Sequence, residues 1–313
     1  MNGEDSFVPG EQAGKARAGG KVIIVGEHAV VHGVAAIAAG LDRGVLAHVS
    51  LPTPGASRCE FVLGKRVVEP EDPAHRALLV LMEHLRTPAS AVHVELQMPA
   101  GVGLGASAAI GVAIARALLR SHERELSPPA LLEAVNLWES VFHGSPSGID
   151  AACVTAGGCI RFRRGEGFRP IRLGRPLQLV VAVAGPPSST KEMVESVATL
   201  RRRQPQRFQQ ALDAISQLVT NAEHALMAGD LRLLGELMNH NHLLLSAWML
   251  STPEIERACQ SARAAGALGA KLTGAGGGGC VIALCAEGGQ EKIVHTWREQ
   301  GFECFATDVA PQP

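Results

Sequence analysis

Between residues 92 and 120 the hydrophobic repeat changes from two residues to about 3.6, and the change is made across a run of glycines. Val92, Val94, Leu96 and Met98 alternate with other residues, as in a strand with one buried face. From residue 106 to 120, Ile110, Ile114 and Leu118 share one helical face, with Arg116 and Arg120 on another. The join reads Pro99-Ala-Gly-Val-Gly-Leu-Gly-Ala-Ser107. Strand, glycine loop and helix in that order require a fold that mixes sheet and helix, and they give the loop a chemistry. Glycines let backbone amides approach an anion, and the helix that follows offers its positive N-terminal end. A flexible turn is the plainer reading. A third reading takes Gly103-x-Gly105-x-x-Ala108 as a dinucleotide fingerprint, with Glu123 at the distance of a ribose contact. That fingerprint needs a parallel strand soon after the helix, whereas Ser127-Pro128-Pro129 is a helix start. No Gly-Lys-Ser or Gly-Lys-Thr follows this loop or the one near residue 276, so the Walker pattern is absent.

A chain of 313 residues exceeds one ordinary core of roughly 100 to 150 residues, which favours two domains with a cleft. Residues 1–18 are polar, Gly-rich and without periodicity, and read as a disordered leader. A change of composition at 172–176, before the apolar run 177–184, places the domains at 19–173 and 174–313. Buried strands are expected at 22–25, 34–41, 45–49, 92–98, near 177–184 and at 280–285. Helices are expected after Ser127, where Leu131, Val135, Trp138 and Phe142 form a stripe ending near Gly144, between 191 and 228, at 231–250 and at 253–265. Twenty-nine basic against 30 acidic residues give net −1, which supplies no electrostatic reason to bind nucleic acid or an anionic membrane. The long uncharged run over 101–115 falls short of the roughly 20 residues of a membrane span, and the N-terminus lacks an apolar signal core. Seven scattered cysteines without a C-x-x-C pair fit reduced thiols and a cytoplasmic location.

Each side chain that could do chemistry also has a structural reading. Glu139 stands four residues after Val135, at the edge of the apolar stripe, where a carboxylate needs a partner. With the Ser107 hydroxyl it could hold magnesium, which takes one or two protein oxygens plus phosphate oxygens; otherwise it pairs with an arginine. The loop His143-Gly-Ser-Pro-Ser-Gly-Ile-Asp150 delivers an aspartate at a helix start, as a reactive carboxylate or as an N-cap. Lys21, Glu27 and His28 flank the first strand, as site residues or as ordinary strand-end polarity. Lys271-Leu-Thr-Gly-Ala-Gly-Gly-Gly-Gly-Cys280 runs directly into strand-like residues and reads as a shaped loop more than as a linker.

Together these segments resemble the GHMP small-molecule kinases over residues 21–304. Gly20-Lys-Val-Ile-Ile-Val-Gly-Glu-His-Ala-Val-Val-His-Gly33 looks like the first family motif in the branch that phosphorylates mevalonate, 99–109 like the second and 271–280 like the third. The loop ending at Asp150 is similar to the one that supplies the aspartate of that branch. The resemblance implies an α+β two-domain chain, with an N-terminal domain of the ribosomal protein S5 domain 2 type and a ferredoxin-like C-terminal domain. It implies an ATP- and Mg2+-dependent transfer of phosphate to the C5 hydroxyl of mevalonate, giving 5-phosphomevalonate for isoprenoid precursor synthesis. Asp150 and Lys21 are then catalytic. Lys21 with Gly101, Val102, Gly103, Leu104, Gly105, Ala106 and Ser107 binds ATP, Ser107 and Glu139 hold the metal, and Glu27, His28, Asp150 and Thr190 contact the acceptor. A small-molecule substrate is the expected partner, with a homodimer as the assembly and neither nucleic acid nor membrane. Two departures from the family pattern are visible: Ala106 replaces the first serine of a common Ser-Ser pair, and Gly19-Gly20 replaces Pro-Gly. Another kinase of the same family, acting on phosphomevalonate or a sugar, and a nucleotide-binding regulator without catalysis are the competing functions.

Overall fold

A computed structural model describes residues 12–50, 59–142, 147–186 and 189–310. Within these the chain divides into two compact units that do not follow sequence order. One takes residues 12–18, 44–98 and 107–142; the other takes 19–43, 99–106 and the described chain from 147 onward. Strands β1 (Gln12–Val25) and β2 (Ala36–Ser50) contribute to both.

In the first unit the second half of β2 pairs antiparallel with β5 (Ala91–Leu96), Val45 facing Leu96 and Val49 facing Val92. On its other edge β5 runs parallel to β3 (Glu60–Leu63), which pairs with the short β4 (Arg66–Val67). Val45, Ala47, Val49, Val92 and Val94 are all buried, as period-two alternation requires of a one-faced sheet. Helix α1 (Pro73–Leu85) starts at Asp72, whose carboxylate accepts from the Ala74 N–H, with proline in the first turn. It packs against α3 (Pro128–Phe142). Helix α2 (Ala106–Arg120) is buried more widely than the expected single face, because Ala108, Ala109, Val112, Ala113 and Ala117 join Ile114 and Leu118 in the core. Its two arginines reach back to β1: Arg116 Nη1 donates to the Arg17 carbonyl at 3.3 Å and Arg120 Nη1 to the Lys15 carbonyl at 2.9 Å.

The expected leader is therefore corrected for residues 12–18, which form the first half of β1; residues 1–11 lie outside the described ones. Gly14, Ala16 and Ala18 are buried while Lys15 and Arg17 point out, a period of two carried by residues too small to register as hydrophobic. The two strands expected around Gly44 are likewise one, β2, which passes through the glycine without a break.

In the second unit the first half of β2 pairs with β6 (Cys159–Arg163), Ala36 facing Phe162, and β6 pairs with β7 (Gly167–Pro170). Helix α4 (Ile149–Ala156) leads into β6. The remaining chain builds an antiparallel sheet in the order β11-β8-β10-β9, from β8 (Leu177–Gly185), β9 (Gly269–Thr273), β10 (Gly279–Cys285) and β11 (Glu303–Val309). Helices α5 (Thr190–Arg203), α6 (Pro205–Ala228), α7 (Leu231–Ala247) and α8 (Pro253–Ala264) lie between β8 and β9 in the chain, and α9 (Gln290–Glu299) between β10 and β11. Read in chain order the strands lie fourth, first, third, second, which is the ferredoxin-like arrangement expected for this half. β10 is buried along its whole length, and Trp297 of α9 donates its indole N–H to the Ala258 carbonyl of α8 at 3.0 Å.

All seven cysteines are free thiols, and burial pushes those of Cys159, Cys259, Cys280 and Cys285 up to about 12. Among the described residues no helix is long and apolar enough to cross a membrane.

Candidate active site

The glycine loop is shaped by alternation. Gly101, Gly103 and Gly105 all take left-handed backbone angles, with φ of 77°, 88° and 72°. Between them Val102 and Leu104 are buried, while Gly101 and Gly103 are exposed. The apolar side chains thus anchor a loop whose bare backbone faces outward and then enters α2 at Ala106, the form of an anion-binding concavity. The dinucleotide reading fails on topology: α2 is followed by α3 and α4, and the next strand is β6.

Lys21, in the half of β1 that belongs to the second unit, threads this loop. Its N–H donates to the Leu104 carbonyl at 2.8 Å and its ammonium to the Gly103 carbonyl at 2.9 Å. A Cβ on Gly105 would stand 2.8 Å from Lys21 Cγ, so the lysine stem occupies the space that the glycine leaves. The ammonium ends 3.1 Å from Asp150 Oδ1, with the lysine side chain 3% exposed and the aspartate 37%. A buried ammonium requires such a partner, and a partner open to solvent on one side can also meet a ligand. Asp150 is not the N-cap of its helix. Gly148, with φ of 85°, holds that position, and Asp150 sits inside the first turn of α4, so the capping alternative is corrected. Residues 143–146 of the loop before it, including Gly144, lie outside the described residues.

His28 follows the end of β1 with a φ of 58°, unusual for a non-glycine residue. Its Nε2 lies 2.7 Å from the Ala275 carbonyl and donates to it, tying the first motif to the third glycine loop. Burial holds its pKa below the ordinary histidine value. Glu27, expected to contact a ligand, turns the other way. It is wholly buried, paired with Lys271, and accepts from Asn241 Nδ2 at 2.9 Å, so direct contact with an acceptor is corrected to a supporting place behind His28. Thr190 is exposed at the first position of α5, and among the described residues no hydrogen bond joins it to the other candidates.

In the first unit, at the start of α2, Ser107 Oγ donates to Glu139 Oε1 at 2.5 Å. The Trp138 indole N–H donates to the Ser107 carbonyl at 3.0 Å. Gly111 makes room for that indole, since a Cβ there would lie 2.8 Å from Trp138 Cδ1. The result is a pair of hard oxygen donors held by α2 and α3, with the serine as one partner of Glu139. Lys271, Asn241 and the Trp138 N–H are missed by sequence reasoning. The available signal was a lysine inside an otherwise apolar strand, where a charge must have a partner.

Comparison with known proteins identifies the family. The N-terminal domain model of the GHMP kinases matches residues 73–158, and their C-terminal model matches 222–303. The mevalonate kinase of Aeropyrum pernix is 35% identical, with 96% of this chain and 97% of that protein aligned. That of Pyrococcus abyssi is 34% identical over 95% and 96%. Among solved structures, L. major mevalonate kinase in complex with R-mevalonate superposes with a TM-score of 0.87 at 32% identity, covering 96% of each chain. With both family domains matched in order and relatives aligned end to end, the chain belongs to the GHMP kinases.

Proposed function

We propose that this protein is an ATP-dependent kinase that phosphorylates the C5 hydroxyl of mevalonate. The observation that carries the reading is the Lys21–Asp150 pair, a buried ammonium 3.1 Å from a half-open carboxylate beside the glycine loop. Relatives named for this activity support the choice of acceptor. Asp150 orients the acceptor hydroxyl and accepts its proton as the new oxygen–phosphorus bond forms and the γ-phosphate bond to ADP breaks. Lys21 offsets the charge gathering on the acceptor oxygen and the transferring phosphoryl group. The loop from Gly101 to Ser107 receives the ATP phosphates, and His28 with Thr190 lines the acceptor.

Ser107 and Glu139 fit magnesium on chemical grounds, since both donors are oxygens and one is a carboxylate, leaving the remaining coordination to phosphate and water. When bound, the ion would neutralise charge on the β- and γ-phosphates. A domain boundary near residue 174 is supported by the strands, because β1 to β7 precede it and the β8 to β11 sheet follows it, while β1 carries the expected first domain of 19–173 back to residue 12. A cytoplasmic homodimer with no nucleic-acid or membrane partner completes the reading; the near-neutral charge supports the last part of it, since it supplies no attraction to nucleic acid or an anionic membrane.

The test is ATP consumption against mevalonate, phosphomevalonate, galactose and homoserine. Mevalonate should give the highest kcat/KM; a higher value for any other acceptor moves the protein to another branch of the family. Consumption with none of them would favour the regulator.

A further inference from the structure

Two buried charges behind His28 take no part in the mechanism above. Lys271 on β9 and Glu27 at the end of β1 are both 0% exposed and form an ion pair. The same ammonium donates to the Leu272 carbonyl at 2.5 Å and to the Ile23 carbonyl at 3.5 Å. Asn241 of α7, also fully buried, holds the second carboxylate oxygen. Nearby, Thr273 Oγ1 accepts from the Ile23 N–H at 2.8 Å. Among the described residues no strand ladder joins β1 to β9. Side chains from β9 and α7 therefore hold the end of β1 where a backbone ladder does not.

What they hold is a turn under strain. Gly26 has a φ of 101° and His28 of 58°. Such a backbone costs a non-glycine residue about 1 kcal/mol or more and persists where its surroundings over-determine it. The short Glu27 carbonyl bond to the Ala29 N–H, 2.6 Å, and the His28 carbonyl bond to the Val31 N–H, 3.0 Å, close the turn locally. Neither fixes it against the loop carrying Ala275. Burying two charges is a poor route to stability alone, since apolar replacements of similar volume are often as stable.

We propose that Lys271 and Glu27 are positioning residues: they clamp the end of β1 so that His28 keeps its positive-φ backbone and its bond to Ala275, and thereby set the acceptor-binding edge. This rests on the reading of His28 as an acceptor residue. Lys271→Met alone leaves an unpaired buried carboxylate and should destabilise the fold. The deciding variant is the double Glu27→Gln with Lys271→Met, which removes both charges and keeps a partner for Asn241. Its thermal midpoint should lie near wild type, while its acceptor KM rises about tenfold and its ATP KM stays within about twofold. Hydrogen exchange at the Ala29 to Val31 amides, measured without any substrate, should quicken by about tenfold. If the double variant matches wild type in acceptor KM and in exchange, the pair contributes only stability and the proposal is overturned. If it does not fold, Asn241→Ser removes one arm of the clamp, and unchanged exchange at the same amides there overturns it equally. A wild-type protein inactive on mevalonate would defeat the kinase reading, whereas the exchange result would still decide the clamp.

Discussion

Two lysine–carboxylate pairs lie in the second unit, both involving β1, and they differ in one respect. Lys21 faces an aspartate that is 37% exposed, whereas Lys271 faces a glutamate with no exposure at all. Each ammonium also donates to backbone carbonyls, so hydrogen-bond satisfaction does not separate them. Solvent access to the carboxylate does. A carboxylate closed off on every side can only hold structure, while one open on a single side can receive a substrate hydroxyl and release a proton. The glycine loops beside the two pairs differ in the same way. The first has outward-facing glycines set by buried Val102 and Leu104. The second is fastened by backbone bonds, from the Gly277 N–H to the Leu250 carbonyl at 2.7 Å and from the Gly279 N–H to the Pro186 carbonyl at 3.3 Å.

The contrast is broken most forcefully by truncating each lysine. Lys271→Met strands the Glu27 carboxylate in the core and should cost about 3–5 kcal/mol of stability, whereas Lys21→Met leaves Asp150 able to hydrate and should cost well under half of that. Denaturant melts of the two variants measure the difference, and equal losses would erase the distinction drawn from exposure. On the chemical side, Asp150→Asn keeps size and shape but cannot take a proton, so kcat should fall by roughly 100-fold or more at nearly unchanged melting temperature. Combined with Lys21→Met it should fall by less than the product of the single effects, because both groups act on one oxygen. A folded Asp150→Asn with wild-type kcat would return that pair to a structural role. The smallest effect is expected for the oxygen pair of the first unit: Glu139→Gln should raise the magnesium concentration for half-maximal rate about tenfold or less, read from a titration at saturating ATP. No change would leave Glu139 as a packing partner of Ser107.

Much of this site can be read from the sequence, and the unread part has a common cause. The strand, glycine loop and helix from Val92 to Arg120 are legible because each has its own period, and the glycines mark the join. Lys21, Asp150, Ser107 and Glu139 are legible as polar side chains next to those elements that need partners, and Lys21 pairs with Asp150 and Ser107 with Glu139. Glu27 is misread because its neighbour His28 faces the third loop, and sequence adjacency does not tell which way a side chain turns after a glycine with φ of 101°. Asn241 is silent and Lys271 signals only that it needs a partner, for a related reason: that partner, Glu27, is 214 and 244 positions away, and no local pattern encodes it. The parallel pairing of β3 with β5 and the passage of β1 and β2 through both units are long-range facts of the same kind.

The link between β1 and β9 also orders events in time. Ile23 and Thr273 are bonded across 250 positions of chain. During synthesis the turn carrying His28 is made early, yet its fastening cannot exist until β9 has been produced. Loop closure over that span adds little to the equilibrium cost, since the entropy grows only with the logarithm of length, but it slows the step. The turn carrying His28 is thus fastened late in folding, after the helices α5 to α8 have been made, and a nascent chain carries the glycine loop at 101–105 well before it carries the strand that holds that turn in place.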